Sequence, residues 1–117
     1  MGATYPLNIG ASVTMALVGG VVQGVVQLVP PGVEKWHITR ATVITSQAST
    51  VTPIPTASLY TPSISDQNMI DSTYTGCRDS TDLDIWLEKG QPIICQWLDG
   101  IAGTIATLSL FGTRELY

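Results

Sequence analysis

The chain has 117 residues, 44% of them apolar and only 12% charged, with a net charge of −4. That length fits one domain with one core, able to fold without metals or disulfides. The acidic balance and the unclustered cations Lys35, Arg40, Arg78, Lys89 and Arg114 exclude nucleic acid and anionic membrane surfaces as partners, since both need a basic patch.

The charged share usually runs to about 25%, so the folded exterior is expected to be clad in Thr, Ser, Gln and Gly. A surface so poor in charge is weakly protected against association. This predicts that a partner protein covers part of it.

Residues 1–10 hold Tyr5, Pro6, Leu7 and Ile9 without a regular period. They read as an N-terminal arm, ahead of one domain over residues 11–117. As a free tail the arm would expose apolar surface. It therefore docks either on a neighbouring subunit or on its own domain, and both remain open. The first charged side chain is Glu34. Glycines and glutamines interrupt the preceding stretch and Pro30-Pro31 ends it, so no run reaches the roughly 20 apolar residues of a transmembrane helix. A basic leader is absent, and export by a signal peptide is not expected.

From Ala11 onward the pattern has period two, with turn residues every ten or so positions. Strand one spans 11–18, with Val13, Met15 and Leu17 on one face. Gly19-Gly20 makes a hairpin turn into a strand over 21–29, in which Val22, Val26 and Leu28 share a face with Gly24. A long strand over 35–46 has apolar residues on both faces, so its inward face is expected to change along its length. Residues 47–55, with Pro53 and Pro55, form a surface loop. A strand over 56–61 follows. Residues 63–72 have no clear period; a helical turn fits around Ser65–Asn68, and Tyr74 begins a further short strand. The strand over 81–87 turns Leu83, Ile85 and Leu87 one way and Asp82, Asp84 and Trp86 the other. Strands over 91–98 and 103–113 close the chain, the last with Ala106, Leu108 and Leu110 on one face.

Seven to eight antiparallel strands with no long helix predict an all-β, two-sheet β-sandwich, jelly-roll-like or immunoglobulin-like. The pattern does not separate the two topologies.

Signals for chemistry are sparse. Asp79, Asp82 and Asp84 are candidate calcium ligands, set against a solvated strand edge; their spacing is not that of an EF-hand loop. Cys77 and Cys95 lack metal-site spacing; a disulfide between them is the minority expectation, and Cys95 reads as a buried small hydrophobe. His37 is the only histidine and has no marked nucleophile partner. No catalytic or phosphate-binding fingerprint is present, so the chain is expected to be non-enzymatic and without a cofactor. Trp86 falls on the polar face of its strand. It is either an exposed anchor for a partner or sugar or a residue packed beneath the 47–55 loop.

The ordered elements also resemble a family. A Pro31-Gly32 turn precedes Trp36-His37-Ile38-Thr39-Arg40-Ala41. Pro55-Thr56-Ala57-Ser58-Leu59-Tyr60 follows, then Asn68-Met69-Ile70-Asp71-Ser72-Thr73-Tyr74-Thr75-Gly76, then Asp79-Ser80-Thr81-Asp82-Leu83-Asp84. Gly90-Gln91 opens a strand carrying Trp97, and an Ala/Thr-rich strand over 103–112 closes the set. In this order they resemble small virion proteins, of the minor capsid or minor tail type, of tailed phages infecting actinobacteria. Cys77 and Arg78 depart from the pattern at one turn.

The resemblance implies a virion protein assembled in the host cytoplasm, with no catalytic residues. Its expected function is capsid decoration, binding and reinforcing the head shell as a homo-oligomer on the major capsid protein or other virion subunits. The alternative is a minor tail or tail-tip module that contacts the host envelope. Tyr5, Pro6, Leu7, Ile9 and Trp86 are the expected partner contacts.

Overall fold

The structure, a computed structural model, describes residues 4–48, 50–72 and 78–116, with Asp66 described in its backbone only. The described residues form nine strands and one 3-10 turn (Asp66–Asn68): β1 Thr4–Thr14, β2 Ala16–Val18, β3 Val21–Leu28, β4 Glu34–Thr45, β5 Thr56–Tyr60, β6 Met69–Ser72, β7 Arg78–Leu87, β8 Ile93–Leu98 and β9 Ile105–Leu116. No helix among them is long and apolar enough to cross a membrane.

The strands make two antiparallel sheets packed as a sandwich, β1-β9-β4-β7 and β2-β3-β8-β5-β6. The pairs β1·β9, β3·β8, β4·β7 and β5·β6 nest one inside the next along the chain. This is a long antiparallel ribbon rolled up, the jelly-roll order rather than the immunoglobulin order. β2 is an added edge strand beside β3.

Nine strands stand where seven or eight were expected, for local reasons. Strand one divides at Met15, which is buried at the corner between the two sheets. There the Met15 N–H donates to Thr104 O and the Met15 carbonyl accepts from the Gly103 N–H. The aperiodic stretch before Ser72 supplies the short β6. The expected strand start at Tyr74 lies outside the described residues.

Residues Thr4–Gly10, set apart in the sequence as an arm, are the first half of β1. They pair residue for residue with β9, from Thr4 opposite Glu115 to Gly10 opposite Ser109. Leu7 is only 4% exposed and belongs to the core, with Ile9 packed against it. Leu7 and Ile9 are thus covered by the segment's own domain, while Tyr5 and Pro6 stay exposed. Pro6 and Gly10 interrupt the alternation of the segment, which masks its period in the sequence.

The core fills the space between the sheets with Trp36, Ile38, Leu87, Leu108 and Leu110 from one and Val26, Leu59, Ile93 and Trp97 from the other. Burying each such side chain contributes about 1.5–3 kcal/mol. Gly24 is buried against Met15 and Val13; a Cβ there would press on Met15 Sδ and Val13 Cγ1, so the glycine lets β1 and β3 approach at the corner.

β4 changes its inward face as expected, at a β-bulge. Glu34, Trp36 and Ile38 are buried before it; Ala41, Val43 and Thr45 are buried after it. The register shifts between Ile38 and Arg40 against both β7 and β9. One extra residue flips the alternation while keeping both halves on the core. Gly112 lies opposite Ile38, with φ 157°; a Cβ there would overlap the His37 carbonyl oxygen.

Candidate functional site

The bulge sets the geometry of the outer face of β1-β9-β4-β7. His37, just before it, stands directly opposite Trp86 of β7. Their rings stack, centroids 4.2 Å apart and planes 3° from parallel. The His37 Nε2–H donates to Asp84 Oδ1 at 2.6 Å. Lys35 Nζ lies 5.0 Å from the Trp86 ring centroid and 3.5 Å from a Glu88 carboxylate oxygen. Trp86 keeps 46% of its surface exposed. Of the two expectations for Trp86, the exposed one matches, and the residue supporting the indole is His37 rather than the 47–55 loop. Strand alternation had put Trp86 on the polar face but could not show that His37 faces it.

This arrangement can hold a planar or apolar group beside the indole, with Asp84 as acceptor and Lys35 as donor. Among the described residues no hydroxyl or thiol hydrogen-bonds His37, and its carboxylate partner Asp84 is 86% exposed. Cys95 is free and fully buried, and desolvation pushes its thiol pKa well up. It is an inert core residue rather than a nucleophile. Cys77 lies outside the described residues.

The three candidate calcium ligands do not converge. Asp82 and Asp84 point outward from β7, while Asp79 has the opposite parity and accepts the Ser80 N–H at 2.8 Å. Among the described residues no group of three or more His, Cys, Asp or Glu could hold a metal.

The expected contacts near the N-terminus also separate. Leu7 is core, and Ile9 packs on the core. Tyr5 and Pro6 are exposed near the start of β1, and the Arg114 guanidinium carbon lies 5.5 Å from the Tyr5 ring centroid. Arg114 also pairs with Glu34 at 3.0 Å, closing that end of the sandwich.

A second surface emerges from the register. Most strand charges lie on the four-stranded sheet, with Lys35, Arg40, Arg78, Asp82, Asp84 and Glu115 on its outer positions, while the five-stranded sheet carries Asp71 on its edge strand β6, opposite the core residue Leu59. The outer positions of β2, β3, β8 and β5 carry no charge at all. Val18 pairs with Val21, Gln23 with Leu98, and Val25 with Gln96, which in turn pairs with Ser58. Val18, Val21, Val25 and Leu98 are exposed at 56%, 40%, 41% and 38%, so aliphatic groups stand open on three successive cross-strand rows, interspersed with Gln23, Gln96 and Ser58. The low charge of the composition is thus concentrated on one side of the molecule.

No family model matches the chain, and no curated protein matches it. Among solved structures, two carbohydrate esterases of family two are similar. The enzyme from Clostridium thermocellum, solved in complex with cellohexaose, is 12% identical over 89% of this chain and 28% of its own, with a TM-score of 0.36. The enzyme from Cellvibrio japonicus is 14% identical over 97% of this chain and 36% of its own, with a TM-score of 0.40. Likeness at that level bears on neither activity nor ligand.

Proposed function

We propose that this chain is a non-catalytic virion structural protein, a capsid decoration module that binds and reinforces a phage head shell. The observation that carries the reading is the charge-free outer face of the five-stranded sheet, with Val18, Val21, Val25 and Leu98 exposed on it. Water-exposed aliphatic groups in an uncharged field are a surface that gains from being covered. A neighbouring subunit can cover them without stripping water from any ion, which would be costly. Repeated on a symmetric shell, many such modest contacts add through avidity. The phage setting comes from the sequence resemblance. The jelly roll does not choose it, since capsid and lectin domains share that fold.

The test is to mix the purified chain with phage heads stripped of accessory proteins and count bound copies. Decoration gives hundreds of copies per particle. Val25→Glu, which puts a charge in the middle of the neutral face, then abolishes binding while the circular dichroism spectrum stays unchanged. A chain that ignores heads, or a Val25→Glu variant that binds them as before, would sink the proposal.

A tail-tip module touching the host envelope is the second reading, and one observation favours it. Trp86 is exposed, stacked on His37, and flanked by Asp84 and Lys35. An aromatic plane with polar groups at its rim suits a sugar ring. Binding of purified protein to host cells that Trp86→Ala removes and Val25→Glu leaves alone would favour this reading over decoration.

A further inference from the structure

The two edges of the β1-β9-β4-β7 sheet are guarded differently. The β7 edge carries Arg78, Asp79, Asp82 and Asp84, and charge on an edge strand discourages pairing with another chain. The β1 edge runs eleven residues, Thr4–Thr14, without a single charge. It stands at the end of the strand order, so among the described residues β9 is the one strand beside it.

The direction of its backbone groups follows from two facts. Just beyond the strand, both the N–H and the carbonyl of Met15 bond residues leading into β9. In an extended chain the amides of alternate residues point to opposite sides, so odd-numbered residues of β1 face β9. Pro6, which has no N–H to give, sits at an even position, where β9 needs none. The N–H and C=O groups of Asn8, Gly10, Ser12 and Thr14 therefore point outward, and all four residues are exposed.

We infer that β1 is a dimerisation edge, pairing antiparallel with β1 of a second copy to join the two four-stranded sheets into one. The second copy fits because the outward set is self-complementary. A two-fold axis at Ala11 places Asn8 opposite the partner's Thr14 and Gly10 opposite the partner's Ser12. Every outward donor then meets an acceptor, about eight bonds in all for four such pairs, and Pro6 falls outside the ladder. Each chain carries a net charge of −4, yet the joined strands hold no charge, so like charges stay apart. The contact is isologous and closes at two copies. It leaves the neutral face of the five-stranded sheet free and does not rest on a virion setting.

Three arms of one experiment test the pairing, with the isolated full chain in each. Sedimentation of the unaltered protein gives twice the chain mass. Asn8→Lys with Thr14→Lys sets lysine against lysine at both ends of the ladder and yields monomer. Asn8→Lys with Thr14→Glu sets each new lysine against the partner copy's new glutamate and restores the dimer. Within one chain those two positions are too far apart to interact, so the contrast reads only the intermolecular register. Hydrogen exchange on the unaltered protein supplies a readout independent of variant folding. The amides of Asn8, Gly10, Ser12 and Thr14 become at least tenfold slower at high than at low protein concentration, on the order of any paired strand amide. A monomer at every soluble concentration, a dimeric double-lysine variant, or four amides as fast as those of the Gly19-Gly20 turn would each overturn the inference.

Discussion

His37 and Trp86 are direct cross-strand partners whose rings lie 4.2 Å apart and 3° from parallel. Asp84 bonds the same imidazole, so the histidine has two neighbours that could hold it. Their contributions differ in kind. Asp84 is 86% exposed, and an exposed pair contributes at most about 1 kcal/mol. The stack buries ring area against ring area, which in cross-strand pairs contributes about 0.5–1 kcal/mol.

A double-mutant cycle separates them. His37→Ala and Trp86→Ala are expected to show a coupling of about 1 kcal/mol in urea unfolding. Asp84→Asn costs under about 0.5 kcal/mol. If Asp84→Asn proved the more damaging change, the carboxylate rather than the indole would be what fixes the imidazole.

Gly112 lies opposite Ile38, where the β4 register shifts, and a Cβ there meets the His37 carbonyl, which is backbone and cannot swing aside. Gly112→Ala is therefore expected to lower stability by about 2–4 kcal/mol. It also disturbs the ring stack one residue away, read as a change in near-ultraviolet circular dichroism. A neutral Gly112→Ala would mean that the bulge relaxes without cost.

The sequence carried much of the fold and little of the site, and particular residues show why. Leu83, Ile85 and Leu87 against Asp82, Asp84 and Trp86 is a clean alternation, and β7 follows it. The inward switch of β4 was legible because Trp36 and Ile38 differ in parity from Ala41 and Val43. The meeting of His37 with Trp86 was not legible, because two residues far apart in the chain become neighbours only through strand register, which the bulge helps set. The same holds for the neutral face. Val25, Gln96 and Ser58 come from three strands, and only their pairing puts them in one row. Residues Thr4–Gly10 do not look like a strand in sequence because Pro6, an edge-strand residue by its chemistry, resembles a break there.

Gln47 is a buried polar residue whose loss is expected to have a large effect. Its buried amide donates to Val51 O at 2.8 Å and Pro53 O at 2.7 Å, and its Oε1 accepts from the Ile101 N–H at 3.1 Å. One side chain thus ties the Ser/Thr/Pro loop to the turn before β9. Gly100, at φ 94°, makes room for it, since a Cβ there would sit 3.1 Å from Gln47 Oε1. Gln47→Leu strands two carbonyls and one amide, and is expected to cost about 3 kcal/mol in thermal or urea unfolding. Limited proteolysis should then cut near Val51–Ile54 much faster. Unchanged resistance would show that the loop is held by other contacts.

Cys95 makes an alkaline prediction. Burial raises its thiol pKa far above the ordinary 9.0, because the thiolate cannot be solvated between the sheets. The folded chain therefore keeps a proton that the unfolded chain releases. For a pKa raised on folding, the stabilisation is complete below the unfolded value and declines as pH rises beyond it. Stability should thus be flat in this term below about pH 8 and fall by up to about 1.4 kcal/mol per pH unit above pH 9. Cys95→Ala removes that slope while costing a constant amount for the lost sulfur, so the two unfolding curves converge as pH increases. In the native state the Cys95 thiol should also resist iodoacetamide until the domain opens. A slope that persists unchanged in Cys95→Ala would place the titrating group elsewhere.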